Sequence, residues 1–148
     1  MSEDDIGLDR VDRGRDRVER WVDLKGGSPR EVWEEIGQFS AIEDWHPAVT
    51  GCELVELGGE LHRHLTLADG EMLLERFVEA GDDFYRYEIV EGPLPVEEYR
   101  ATFTCFDHEG VTRIFWSATF EAEGHEADEI VAGIFEAGLA ALRDRFDG

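Results

Sequence analysis

Hydrophobic and polar positions alternate with a period of two through most of this chain, and the period changes to that of a helix only near its end. VERWVDL, within residues 15–24, alternates as a strand should. From Gly51 onward the same rhythm returns in six runs, 51–57, 60–67, 71–80, 84–90, 98–106 and 111–121. Turn chemistry separates them. Ala68-Asp69-Gly70 is a three-residue hairpin loop with Gly where a positive φ is needed, and Gly81-Asp82-Asp83 and His108-Glu109-Gly110 turn the chain again. Gly92-Pro93-Leu94-Pro95 interrupts the run with a stiff, apolar-tipped loop that reads either as a gate over an interior space or as a rigid crossover.

Between the first strand and the rest lies SPREVWEEIGQFSAIEDWHP, residues 28–47. Its spacing predicts two short helices. Ser28 with Pro29 and Glu31 makes a capping box for the first, and Ser40 with Glu43 makes one for the second. Gly37 supplies the break between them. From His125 to Phe146, Ile130, Val131, Ile134, Phe135, Gly138, Leu139, Leu142 and Phe146 recur at helical spacing and predict one long amphipathic helix. Gly133 and Gly138 would each cost about 1 kcal/mol of helix propensity there, a cost tolerable where the helix lies close against its neighbour. The order strand, two helices, six strands, long helix implies an α+β domain. Its curved seven-stranded antiparallel sheet wraps a C-terminal helix and leaves space between them. Residues 1–13 are polar and charged, expected to be flexible, and 14–148 form the single domain.

Alternation also chooses a face. Tyr99, Ala101, Phe103 and Cys105 share one side of their strand. Ile114, Trp116, Ala118 and Phe120 do so in the next, and Tyr85, Tyr87 and Ile89 match them. In the hairpin around residues 68–70, Leu67 opposite Glu71 makes pairing partners sum to 138. That register sets Arg63 opposite Glu75 on a face otherwise made of Leu61, Leu65, Leu73 and Phe77. Two readings follow: a buried ion pair inside a cavity, each charge justifying the other, or a wet cross-strand pair on the outside. His62 and His64 flank Arg63 on the opposite face and are expected at the surface; no third ligand, HExxH or cysteine cluster points to a metal. His46 is expected to hydrogen-bond backbone at a helix end, and Trp45 to wall an interior space. Trp33 and Phe39 would pack the short helices onto the sheet.

Composition narrows the partners. Thirty-six acidic residues face 14 basic ones, a net charge of -22, and Lys25 is the sole lysine. Such a surface repels nucleic acid and anionic membranes. Cys52 and Cys105 form no CxxC pair and read as reduced core residues. Residues 1–20 lack the apolar stretch of a secretory signal, and no run is long enough to span a membrane, so a cytoplasmic protein is expected.

The segments VWEEIGQFSAIEDWHP, RHLTLADGEMLLER, YEIVEGPLPVEEYRATF and EAGLAALRDRF together resemble the SRPBCC superfamily, the START-like or Bet v 1-like helix-grip domains. They are most similar to its bacterial polyketide cyclase/dehydrase-like branch, over roughly Val18 to Phe146. The resemblance implies a small apolar or amphipathic ligand held between sheet and long helix; a ligand-binding protein with no metal and no dissociable redox cofactor is the first expectation. It brings no universal catalytic motif. Candidate ligand-binding residues are Trp45, Arg63, Glu75, Phe77, Tyr87, Tyr99, Phe103, Trp116 and Phe135. Arg63 would fix a carboxylate, carbonyl or phenolate, and Glu75 would orient it or act as a base. The alternatives are a cyclase or dehydratase using Glu75, Tyr87, Tyr99 or His46 as acid–base groups, and a partner-binding protein, dimeric through an exposed strand edge, whose cavity is incidental.

An acidic, lysine-poor surface on an ordinary core also suits a salty cytosol, where screening relieves self-repulsion. Thermal unfolding in molar KCl is therefore expected several degrees above that in dilute buffer; equal midpoints would remove the salt reading.

Overall fold

The computed structural model describes residues 15–148, so the segment expected to be flexible, 1–13, lies outside the described residues. Seven strands form one antiparallel sheet: β1 (Arg15–Leu24), β2 (Val49–Leu57), β3 (Glu60–Leu67), β4 (Met72–Ala80), β5 (Phe84–Glu91), β6 (Glu97–His108) and β7 (Val111–Glu121). Their spatial order is β1-β7-β6-β5-β4-β3-β2. Consecutive strands from β2 to β7 are thus neighbours joined by hairpins, and β1 closes onto β7. The connection from β1 to β2, at the far edge, carries α1 (Pro29–Ile36), a 3-10 turn (Phe39–Ala41) and α2 (Ile42–Trp45). The long helix α3 (Glu126–Asp147), roughly 33 Å at 1.5 Å per residue, lies across the inner face.

The first capping box is present: Ser28 Oγ accepts from the Glu31 amide, and the Glu31 carboxylate accepts from the Ser28 amide. The second is not. Ser40 sits inside the 3-10 turn, which runs directly into α2, and the residue before α2, Ala41, already has helical dihedrals. No extended cap residue remains for a side chain to close on the first amides. Gly37 ends α1 in an ordinary right-handed conformation. Its missing Cβ matters for packing instead, since one would lie 2.3 Å from the Trp33 ring.

The hairpin register is the one expected, with His62 opposite Arg76, Arg63 opposite Glu75 and Leu65 opposite Leu73. The alternating apolar sets of β5, β6 and β7 face the helix; Tyr85, Tyr87, Tyr99, Phe103, Trp116 and Phe120 are all buried. On the outer face arginines and acids pair in ladders, Arg76 with Glu60 and Arg113 with Asp23 among them. His62 departs from expectation. It lies on that outer face yet is 5% exposed, because Val55 and Arg76 flank it and Arg76 reaches over to Glu60. Its Nδ1–H donates to the Glu60 carbonyl, which leaves it a structural ring.

Helix α3 departs in detail. Ile130 is exposed, and Ala127 and Ala132 take buried places instead. Gly133 is also exposed, with open space where a Cβ would be. Gly138 is the close approach, against α2: a Cβ there would stand 2.6 Å from the His46 ring and 2.9 Å from Trp45.

Candidate functional site

The interior between sheet and α3 has a filled end and a hollow end. At the filled end Phe103 sits at the centre of an aromatic cluster. Trp45 stacks on it at 5.2 Å, Trp33 tilts against it at 5.7 Å and Trp116 meets it edge-on at 5.2 Å. Trp116 in turn stacks on Phe135 of α3 at 4.3 Å. Such offset and edge contacts add roughly 0.5–1.5 kcal/mol each beyond their burial.

At the hollow end is a cavity of about 80 Å³. Its wall is mostly aliphatic, from Ile42, Val49, Leu65, Leu73, Ile89 and Ile134. Four polar-bearing residues interrupt it, Glu75, Tyr87, Tyr99 and His46, with Trp116 and Phe135 marking the boundary of the filled end. A larger hollow of about 900 Å³ lies outside, an open groove between residues 94–97 and 121–127. It is open to the surface and lined by Glu97, Glu121, Glu123 and Glu126, so the enclosed space is the candidate site. Leu94 borders both. The loop carrying it packs down because Gly92 lacks a Cβ that would otherwise stand 2.3 Å from Leu73.

Of the residues singled out in the sequence, Glu75, Tyr87, Tyr99, Trp116, Phe135 and His46 meet at this cavity. Trp45 and Phe103 belong to the aromatic cluster, and Arg63 and Phe77 lie outside the cavity wall. Ile42, Ala48, Val49 and Leu67 line it without having been singled out. Their signal was faint: each is an ordinary apolar residue at an element's end, where alternation does not yet define a face.

Arg63 and Glu75 form a buried ion pair. Arg63 is 0% and Glu75 4% exposed, and Arg63 Nε donates to Glu75 Oε1 over 2.7 Å. Arg63 Nη1 also donates to the Phe39 carbonyl at 2.8 Å and to the Tyr85 hydroxyl at 3.2 Å. The guanidinium carbon lies 4.1 Å from the Phe39 ring centre, 4.7 Å from that of Tyr87 and 5.4 Å from that of Tyr85. This aromatic cage replaces the hydration that a buried cation loses. Burial pushes the Glu75 carboxyl above its ordinary value, opposed by Arg63 beside it. Burial likewise raises the Tyr85, Tyr87 and Tyr99 phenols, so all three stay protonated near neutrality. The Tyr87 hydroxyl accepts from Trp116 Nε1 at 3.0 Å.

His46 is held on both nitrogens. The Ala48 amide donates to Nδ1 at 3.1 Å. Nδ1 must therefore be the bare nitrogen, and Nε2–H donates to the Ile134 carbonyl at 2.8 Å. The ring thus clasps the end of α2 to the middle of α3, with neither nitrogen spare for proton transfer. Burial depresses its pKa, partly offset by the Ile134 bond.

The family profile described as polyketide cyclase / dehydrase and lipid transport matches residues 15–147. The chain belongs to this family. Among solved structures, XoxI from Bacillus cereus is 34% identical, with a TM-score of 0.80 over 88% of this chain and 94% of that one. A putative uncharacterized protein from Bacillus thuringiensis is 33% identical, with a TM-score of 0.81 over 88% and 98%. The Zhui aromatase/cyclase from Streptomyces sp. R1128, at 19% identity and a TM-score of 0.69 over 88% and 93%, shares the fold. Among curated proteins, none matches. The fold of this polyketide cyclase-like chain is the helix grip of the SRPBCC superfamily. Among the described residues no helix is long and apolar enough to cross a membrane, and no cluster of three or more His, Cys, Asp or Glu is placed to hold a metal ion.

Two predictions follow from this geometry. Glu75→Gln leaves Arg63 buried without its counter-charge and is expected to cost about 3–5 kcal/mol. Replacing both together, Arg63→Met with Glu75→Leu, should recover most of that loss in urea unfolding; a near-zero cost for the single change would contradict the buried pair. His46, depressed in the folded state, contributes full stability above the ordinary histidine value of about 6.5. That contribution is lost as pH falls below 6.5, by up to about 1.4 kcal/mol per pH unit until the folded value is reached. His46→Gln should flatten this limb between pH 6.5 and 5, measured against wild type by denaturant melts.

Proposed function

We propose that this domain binds a small hydrophobic or amphipathic molecule in the cavity between the sheet and α3. The observation that carries the reading is a carboxylate, Glu75, on the wall of an otherwise apolar interior cavity. Pairing with Arg63 offsets the cost of burying that carboxylate, and its place beside the cavity puts a charged group within reach of a bound molecule. Membership of a family described by polyketide cyclases, dehydrases and lipid transport supports the same reading.

A cavity of about 80 Å³ is well below the roughly 300–1,000 Å³ of ordinary ligand sites. Binding of anything larger than a few heavy atoms therefore requires Leu94 and its loop to swing outward and join the cavity to the outer groove. The stiff Gly92–Pro95 segment, hinged between β5 and β6, suits that movement.

One observation favours a second reading, a cyclase- or dehydratase-type enzyme. Glu75 is the wall's one group suited to accept a proton, since the phenols stay protonated and His46 is engaged on both nitrogens. In that role it would take an acidic proton from a carbonyl-bearing substrate and become neutral, leaving the Arg63 charge to balance the enolate formed on the substrate. A partner-binding role, dimeric through the edge strand β2 and with the cavity incidental, is the third reading.

Native mass spectrometry of the protein purified from its own host tests the binding reading. A small-molecule adduct is expected on wild type, and its loss is expected in Ala48→Phe, which fills the cavity. Bare protein mass in wild type, or an adduct undiminished by the filling, would remove the cavity as the binding site.

A further inference from the structure

The polarity presented to the cavity is the reverse of what an arginine at this position suggests. Arg63 directs Nε at Glu75 and Nη1 at Phe39 and Tyr85, and the Phe39 and Tyr87 rings lie against it. Its Nη2 is buried without a hydrogen-bond partner, and Arg63 does not line the cavity. Glu75 reaches the wall instead. One of its oxygens is taken by Arg63, and among the described residues the other accepts no hydrogen bond. The residue is 4% exposed, and this oxygen is not among the fully buried atoms that lack a partner, so it keeps some accessible surface. Close by on the wall stands the protonated phenol of Tyr99.

Resting on the binding reading above, we infer that the cavity selects an apolar molecule bearing a neutral hydrogen-bond donor, a phenol or alcohol, and rejects carboxylates. A hydroxyl can donate to the free Glu75 oxygen and accept from Tyr99 at once. A carboxylate would bring a second anion to Glu75 in a low-dielectric space, where like charges repel most strongly. A bare hydrocarbon would fill the space but leave the acceptor unsatisfied, the loss by which polar sites reject analogues lacking a hydroxyl. The approach reinforces the choice: the groove beyond Leu94 is lined by Glu97, Glu121, Glu123 and Glu126.

Three probes of one shape separate these cases: 4-ethylphenol, ethylbenzene and 4-ethylbenzoate, titrated calorimetrically at pH 7.5. Molar KCl in all samples screens the long-range effect of the chain's net charge. They are titrated into wild type and into Leu94→Ala, which widens the way in. The phenol is expected to bind at least about tenfold tighter than the benzoate, and severalfold tighter than ethylbenzene, in whichever protein binds. The double variant Arg63→Met with Glu75→Leu should lose the preference of phenol over ethylbenzene, and the wild-type ranking decides the matter should that variant not fold. Benzoate binding as tightly as phenol, or ethylbenzene doing so, would overturn the selectivity and leave the cavity a binding site. Failure of all three probes on both proteins would overturn the binding reading itself, and the inference with it.

Discussion

The buried pairing of Arg63 with Glu75 is the constraint around which the interior is organised. Two charges are taken from water at least cost when each meets the other and most of the remaining donors find partners. The β3–β4 register sets the two side chains face to face, while the Phe39 carbonyl and the Tyr85 hydroxyl take further donors from the guanidinium. These partners come from the 3-10 turn and from β5, so one ion pair ties the short helices to the centre of the sheet. The Phe39 and Tyr87 rings lie against the cation, and Tyr87 also lines the cavity. Glu75, not Arg63, borders that space.

A second contact decides how the long helix sits. His46 bridges the end of α2 to the Ile134 carbonyl, and the absence of a Cβ at Gly138 lets its ring and that of Trp45 come close. Trp45 then stacks on Phe103 and Trp116 on Phe135, which fills one half of the space under α3. Past that aromatic block the wall turns mostly aliphatic, with Tyr87 and Tyr99 among the exceptions. The hollow is what remains where aromatic packing stops, with Leu94 standing between it and solvent.

Much of this was legible along the chain, for reasons that differ by element. Period-two alternation reports which side of a strand is buried, so the inward faces of β5, β6 and β7 could be read from Tyr85 to Phe120. The hairpin arithmetic placed Arg63 against Glu75 because a short loop fixes register. Ser28 and Glu31 formed their cap because a capping box needs only neighbouring residues. Ser40 and Glu43 carried the same signature but did not cap, since the preceding turn was already helical. His62 was expected at the surface and is buried, because its cover comes from Arg76 across the hairpin.

Element order, the sheet's inward face, the charge pair and the family are thus written along the chain. Each depends on residues near in sequence or on the strict two-residue repeat of a strand. Which member of the pair meets the cavity, which aromatic rings fill the interior and which wall it are set by the folded arrangement alone. Those outcomes turn on side chains from the 3-10 turn, α2, the Leu94 loop and α3 converging on one volume. Close packing across distant elements leaves no periodic trace in the chain.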